Sequence, residues 1–302
     1  MTIWNTYLKS FKMYLKLERG LSDHTIEAYL RDVSKLAESE AISSLGLTPK
    51  DVEHEHIKEF VHFIYNCGME QKSQARILSG VRAFFRFLLM EDVIDTNPMD
   101  NIESPKLSKK VPSVLSIEEI ASIISAIDMS DDLGHRNRAI IETLYACGLR
   151  VSELINLKLS CYFPDAGIVK VIGKNNKQRL VPIGEDAMKH LNLYIHEIRK
   201  IGPIKKGAED FVFLNRRGNP LTRVMIFTII KNLKTKAGIT KPVSPHTFRH
   251  SFATHLIEGG ANLRAIQDML GHESITTTEI YTHLDTKFLR DTILKYHPRN
   301  AS

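Results

Sequence analysis

The feature that most constrains this chain is an abrupt break between two stretches of helical periodicity. Across residues 21–90, apolar side chains recur every three or four positions, which predicts amphipathic helices. Three prolines and a run of lysines then interrupt the pattern at residues 95–112, as in an interdomain linker. We therefore predict an all-helical domain at 1–104, a linker at 105–112 and a second domain at 113–302.

The second domain is predicted to be mostly helical with a small antiparallel sheet. Ser116 and Glu119 have the spacing of a capping box and indicate its first helix. Two β-branched runs, at 167–172 and 178–183, flank a Gly-Lys-Asn-Asn segment with the composition of a hairpin turn. Helical patterns return from Val224 onward. The fold class is therefore mainly α, with a helical N-terminal domain and a mixed but mostly helical C-terminal one.

Charge favours a polyanionic partner. Residues 1–104 carry 12 Lys and Arg against 16 Asp and Glu, whereas residues 105–302 carry 29 against 19. A surplus of cations suits DNA, because Lys and Arg displace the counterions that condense on phosphates.

Composition also excludes several classes of protein. The apolar stretches are far shorter than the roughly 20 residues that a membrane helix needs, and the N-terminus has no signal-peptide core. Three cysteines without CxxC spacing argue against a disulfide framework, and neither they nor His250 and His255 form a metal-binding pattern. We predict a cytoplasmic protein with no membrane span and no metal.

One predicted helix start combines a cap with cationic side chains. Ser244 is expected to cap this helix and Pro245 to occupy its first position. His246 and Arg249 then share one face near unpaired backbone N–H groups, an arrangement that suits a phosphate. Polar residues are common at helix starts, so taken alone the pair indicates no more than an ordinary surface.

A second predicted helix end lies just before an arginine. Gly148 is positioned to end one helix in a left-handed conformation, so that Arg150 opens the next. The planar guanidinium of Arg150 could bind two phosphate oxygens, although an arginine at such a site more often pairs with a neighbour such as Glu153.

A third predicted helix end lies close to the C-terminus. Gly271 is predicted to terminate the helix 263–270, with His272 directly after it and Tyr281 in a short helix beyond. With nine tyrosines in the chain, Tyr281 alone indicates little.

The N-terminal domain presents a basic helix face opposite an apolar stripe. Such a face is either the solvated side of an amphipathic helix or a surface that contacts DNA phosphates. The candidate DNA-binding residues are Lys72, Arg76, Arg82 and Arg86.

Taken together, these residues resemble a known active site. In order and approximate spacing they match the catalytic residues of tyrosine recombinases: Arg150, Lys174, His246, Arg249, His272 and Tyr281. The surrounding segments are similar to bacterial Xer recombinases, notably Leu-Glu-Arg-Gly-Leu-Ser at 17–22, Gly-Leu-Arg-Val-Ser-Glu-Leu at 148–154 and Ser-Pro-His-Thr-Phe-Arg-His at 244–250. The resemblance spans residues 7–298, and it implies that the N-terminal domain is a DNA clamp.

The resemblance implies a transesterification that needs no metal, ATP or other cofactor. Tyr281 would attack phosphorus and form a 3′-phosphotyrosyl link while a 5′-hydroxyl leaves. Arg150 and Arg249 would neutralise the non-bridging oxygens, and Lys174 would protonate the leaving oxygen. Proton transfer or phosphate binding would be supported by the two histidines of the set, His246 and His272.

The resemblance also implies partners. The expected substrate is a double-stranded recombination site, joined through a Holliday junction by a homo- or hetero-tetramer that includes a second recombinase subunit. Resolution of chromosome dimers during segregation is the expected role, with a DNA translocase as activator. The segment 287–296 is expected to form a tail helix, which docks on a neighbouring subunit or packs on its own domain.

Three alternatives stay open. An integrase of a phage or conjugative element would share the catalytic domain. A type IB topoisomerase-like enzyme would share the tyrosine chemistry, and an inactive DNA-binding protein would share the basic face.

Overall fold

The computed structural model describes residues 2–105, 113–131, 133–173, 177–271 and 283–299. The chain divides into two compact units, Met1–Lys110 and Val111–Ser302, and most of the described residues are helical. The predicted domains fall within these units. Of the predicted linker, only Pro105 belongs to the described residues.

The first unit is built from helices alone in its described part. They are α1 (Thr2–Leu17), α2 (Asp23–Ala37), α3 (Glu40–Ser43), α4 (His54–Asn66) and α5 (Gln71–Met90). Positions with the predicted helical spacing are fully buried in the core, among them Ile26 and Val33 of α2, Phe60 of α4, and Val81 and Phe84 of α5. The same core includes Phe11 and Leu15 of α1, outside the periodic stretch 21–90. The prediction of a helical N-terminal domain is confirmed.

The second unit combines helices with a small sheet. Its helices are α6 (Ile117–Ser125), α7 (Gly134–Cys147), α8 (Val151–Ile155), α9 (Glu185–Leu193), α10 (Arg223–Lys236), α11 (Pro245–Glu258), α12 (Leu263–Leu270) and α13 (His283–Tyr296). Its strands are β1 (Tyr162–Phe163), β2 (Ile168–Ile172) and β3 (Gln178–Pro182), antiparallel in the order β1-β2-β3. The predicted small antiparallel sheet is confirmed; β1 is a strand that the sequence pattern does not predict.

Helix α7 forms the centre of the second unit. It packs against α9 and α11, and its C-terminal half from Ala139 to Cys147 is buried. Gly148 ends it with φ 55°, the predicted left-handed cap. The chain after Gly148 therefore starts from the buried end of α7, and Arg150 is the N-cap of α8.

The other predicted helix ends are confirmed as well. The backbone N–H of Ser116 donates to Glu119 Oε2 at 2.7 Å, and the N–H of Glu119 donates to Ser116 Oγ at 3.2 Å. Ser244 caps α11 with Pro245 in its first turn, and Gly271 ends α12 with φ 65°. These local signals position the ends of the elements.

The tail helix packs on its own unit in this structure. Helix α13 lies against β3, α11 and α12, and its Leu289 and Ile293 are buried there. Phe288 stays 53% exposed. Among the described helices, none combines the length and apolar character that a membrane crossing requires.

Replacing Gly148 by Ala should destabilise the second unit. The left-handed backbone costs a non-glycine residue about 1–2 kcal/mol, and the new Cβ would lie 2.5 Å from Cδ1 of the buried Phe252. Overpacking of this kind adds roughly 1–3 kcal/mol.

Urea denaturation of Gly148→Ala and of a control variant, Gly167→Ala, measures the loss of unfolding free energy. Gly167→Ala is the matched control, because Gly167 has φ 64° but its nearest neighbour would lie at an ordinary 3.6 Å. An equal loss of unfolding free energy in both variants would contradict the packing argument.

Candidate active site

Both predicted catalytic arginines, Arg150 and Arg249, lie at one buried carboxylate, that of Glu153. Arg150 donates from Nη1 to Glu153 Oε1 at 2.8 Å, and its backbone N–H donates to Glu153 Oε2 at 2.8 Å. Nη1 of Arg249 lies 3.9 Å from Glu153 Oε2. The Arg150–Glu153 pair is therefore present, and the same carboxylate also faces Arg249.

Arg249 is fastened by backbone carbonyl groups at two helix ends. Its Nη1 donates to the carbonyl oxygen of Gly148 at 2.8 Å, and its Nη2 donates to that of Leu270 at 2.5 Å. Burial, followed by the charge of Arg150, lowers the pKa of Arg249 to about 10. Arg249 therefore still carries its positive charge at neutral pH.

Arg150 is the more accessible of the two arginines. Its side chain is 38% exposed, whereas that of Arg249 is 10% exposed. The Nη2 group of Arg150 also donates to the carbonyl oxygen of Gly271 at 3.3 Å. Its guanidinium is thus oriented from two sides while part of it faces solvent, as binding of an external anion requires.

His246 lies in the first turn of α11, on the helix that carries Arg249. It is exposed, three positions before that arginine. Helix α11 starts with the reciprocal cap of Ser244 and Thr247, in which the Ser244 N–H donates to Thr247 Oγ1 at 3.0 Å. The cap therefore fixes the helix end from which His246 projects.

The other three predicted catalytic residues, Lys174, His272 and Tyr281, lie outside the described residues. Their neighbours are described. Strands β2 and β3 pair from Ile168 with Pro182 to Ile172 with Gln178, so the two strands that flank the Lys174 segment form the predicted antiparallel pair. A Cβ built on Gly173 would lie 3.7 Å from Glu153 Oε1, which places the start of this connection beside the carboxylate.

Glu153 is the centre of the arrangement. Its side chain is 2% exposed. Burial by itself would raise the pKa of Glu153, but hydrogen bonds and charge from Arg179, together with the bonds from Arg150, hold that pKa below its ordinary value. One negative charge here faces three positive ones, so the cluster retains a positive surplus.

Arg179 is the residue of this cluster that the sequence analysis missed. It lies on β3, is 6% exposed and donates to both carboxylate oxygens of Glu153 at 2.8 Å. Strand alternation was the available signal, because it puts Arg179 on the same face as the buried Val181.

The four candidate DNA-binding residues on α5 differ in their surroundings. Lys72 and Arg86 are exposed. Arg76 is paired at 2.7 Å with Asp32, a fully buried carboxylate whose pKa is raised by burial. Arg82 donates from Nη2 to the carbonyl oxygen of Ile102 at 2.6 Å.

A basic cavity of about 400 Å³ lies beside this helix face. Its lining includes the cationic residues Arg19, Arg82 and Arg86, together with Tyr14 and Tyr29. Cationic and aromatic side chains in one recess suit contact with a nucleic acid.

Comparisons with known proteins identify the family of both domains. Residues 113–287 match the phage integrase family, and residues 8–92 match the N-terminal SAM-like domain of phage integrases. A tyrosine recombinase XerD of Chlorobaculum tepidum is 42% identical over 299 residues, which cover 98% of this chain and 97% of that relative.

Two solved structures show the same fold. The XerH site-specific recombinase bound to palindromic difH substrate, a post-cleavage complex, has a TM-score of 0.68 at 24% identity and covers 95% of this chain and 84% of its own. The Tn1549 transposon integrase in complex with circular intermediate DNA has a TM-score of 0.71 at 23% identity, with coverage of 93% and 97%. With both domains matched and nearly the whole chain shared with the XerD relative, this chain belongs to the phage integrase family and is a tyrosine recombinase.

Proposed function

We propose that this chain is a site-specific DNA recombinase that cleaves and rejoins DNA through a 3′-phosphotyrosyl bond to Tyr281. The observation that carries the proposal is the cluster of Arg150 and Arg249 around the buried Glu153. A scissile phosphate gains negative charge on its non-bridging oxygens in the transition state. Oriented cations in a partly water-excluded site stabilise that charge without reorganising during the reaction.

The two arginines have different tasks in this proposal. Arg249 is buried and held by two carbonyl groups, so it provides a fixed positive charge. Arg150 is partly exposed, and the N–H groups that it does not use within the protein can donate to phosphate oxygens. The Gly148 cap supports both, since its carbonyl group binds Arg249 and it lies two residues before Arg150.

The remaining catalytic roles follow the family pattern. Tyr281 forms the bond to phosphorus, the 5′-oxygen leaves, and Lys174 in the β2–β3 connection donates the proton to it. His246, at the exposed start of α11, and His272, directly after α12, contact the phosphate or assist proton transfer. These assignments need neither metal nor ATP.

The first unit acts as the DNA clamp in this proposal. Lys72 and Arg86 are exposed on α5 and contact phosphates, and Arg86 also lines the basic cavity. Arg76 and Arg82 already make bonds within the unit, so their guanidinium groups are oriented before DNA arrives.

Four subunits on two DNA sites would complete strand exchange through a Holliday junction, as a homo-tetramer or with a second recombinase. We place this reaction in the cytoplasm, in the resolution of chromosome dimers, with a DNA translocase as activator. The relative named XerD, which is 42% identical over 98% of this chain, supports this role. The likeness to a transposon integrase keeps integration of a mobile element as the second candidate.

Replacing Tyr281 by Phe should abolish the covalent adduct and leave DNA binding intact. Purified protein is incubated with nicked suicide duplexes tiled across the replication terminus of its own chromosome, and adducts are separated under denaturing conditions. Tyr296→Phe, a substitution on α13, is the matched control and should still form the adduct. An adduct with the Tyr281 variant would show that another residue is the nucleophile.

Replacing Arg150 or Arg249 by Ala should slow cleavage at saturating DNA by roughly 100-fold, or about 3 kcal/mol, as when one oxyanion donor is removed. Single-turnover adduct formation on the same duplexes measures this. Arg264→Ala serves as the control, since Arg264 pairs with Asp268 on the outer face of α12. Cleavage at the rate of the unsubstituted protein would mean that the two arginines do not bind the reacting phosphate.

Replacing Arg86 by Ala should weaken DNA binding and reduce its dependence on salt. Each phosphate contact contributes about 0.9 to the slope of log K against log salt concentration, so the slope should fall by about that amount. Lys58→Ala is the control, because Lys58 pairs with Glu55 on α4. Equal slopes for the unsubstituted protein and the Arg86 variant would remove this residue from the clamp.

A further inference from the structure

Arg179 is a charged residue buried at the junction of three segments of the second unit. It lies on β3 and is 6% exposed, and its Nε donates to the carbonyl oxygen of Met269 at 2.7 Å. Its Nη1 and Nη2 donate to Oε1 and Oε2 of Glu153, both at 2.8 Å. One planar group thus joins β3, α8 and the C-terminal end of α12.

Two glycines bring the backbone of the catalytic segments against this guanidinium. A Cβ built on Gly271, directly before His272, would lie 3.1 Å from Arg179 Cδ. A Cβ built on Gly173, directly before Lys174, would lie 3.8 Å from Arg179 Nη1. The chain therefore passes beside Arg179 one residue before each of these two predicted catalytic positions.

From these contacts we infer that Arg179 is a positioning residue for DNA cleavage, which orients Arg150 through Glu153 and holds the backbone at Gly173 and Gly271, the residues directly before Lys174 and His272. The inference rests on the proposed function. Arg179 itself is buried and need not touch the phosphate. Its effect is on the geometry of the groups that do.

Stability alone does not account for a buried arginine here. Removing charges from water is costly, and apolar residues of similar volume often stabilise a protein as well as a buried ion pair does. A bidentate guanidinium does what an apolar group cannot, since it fixes distance and angle to a carboxylate and to a carbonyl group at once. Catalytic geometry is sensitive to such alignment, because misplacement by about 1 Å costs on the order of 100-fold in rate.

The test compares Arg179→Met and Arg179→Lys with Arg199→Met. Arg199 is the matched control, because it is 8% exposed and donates to the carbonyl oxygens of Phe211, Val212 and Glu209, none of them a predicted catalytic residue. The Lys variant keeps the charge and loses the planar geometry. Circular dichroism and thermal unfolding establish a temperature at which all three variants are folded.

DNA affinity and the single-turnover cleavage rate at saturating DNA are then measured separately. We expect Arg179→Met to bind DNA like the unsubstituted protein and to cleave it about 100-fold more slowly. Arg179→Lys should recover part of that rate. Arg199→Met should lose thermal stability and keep its rate.

The pH profile supplies a readout that general destabilisation would not move. Glu153 faces Arg150 on α8, Arg179 on β3 and Arg249 on α11, and Arg179 contributes to its lowered pKa. Without Arg179 the pKa of Glu153 rises. As the pH is lowered, the cleavage rate of Arg179→Met should therefore begin to fall at a higher pH than the rate of the unsubstituted protein. Adding Glu153→Gln to that variant should remove this acid limb.

The outcomes separate this inference from the function on which it depends. If the unsubstituted protein forms no Tyr281-dependent adduct, the proposed function fails and the inference fails with it. If that adduct forms, a normal rate in Arg179→Met, or a loss no larger than that of Arg199→Met, would overturn the inference alone. A loss of DNA affinity at an unchanged rate would overturn it too.

Discussion

The candidate site depends on one buried carboxylate that is shared by three arginines. Glu153 accepts hydrogen bonds from Arg150 and Arg179 and lies 3.9 Å from Arg249. Breaking a buried ion pair by removing one partner costs about 3–5 kcal/mol, so this carboxylate holds its partners firmly. A single negative charge leaves the cluster positive, and that surplus is what a phosphate can use.

The same cluster satisfies backbone groups that helix ends leave without partners. The last carbonyl groups of an α-helix have no N–H within the helix, and they carry the negative end of its dipole. Arg249 binds the carbonyl oxygens of Gly148, at the end of α7, and of Leu270, in the last turn of α12; Arg179 binds that of Met269. Capping and the assembly of the site are therefore achieved by the same side chains.

Several parts of this protein follow from local sequence. Periodicity alone predicts the helical first unit, because a helix must bury a stripe that recurs every three or four residues. Caps and left-handed glycines are predictable for a similar reason: Ser244, Gly148 and Gly271 each satisfy a constraint that depends only on their immediate neighbours. The six catalytic candidates come from resemblance, and three of them, Lys174, His272 and Tyr281, lie outside the described residues.

What the sequence by itself determined is thus the helical class of the first unit, the small sheet of the second, the helix ends at Ser116, Gly148, Ser244 and Gly271, and the identity of the candidate residues. Only the tertiary structure decided which of those residues share a partner. Arg179 and Glu153 are 26 positions apart, and Arg179 and Met269 are 90 apart, so no local pattern records their contact. It arises because a strand, a helix start and a helix end bury charged and otherwise unpaired polar groups together, and buried polar groups must find hydrogen-bond partners.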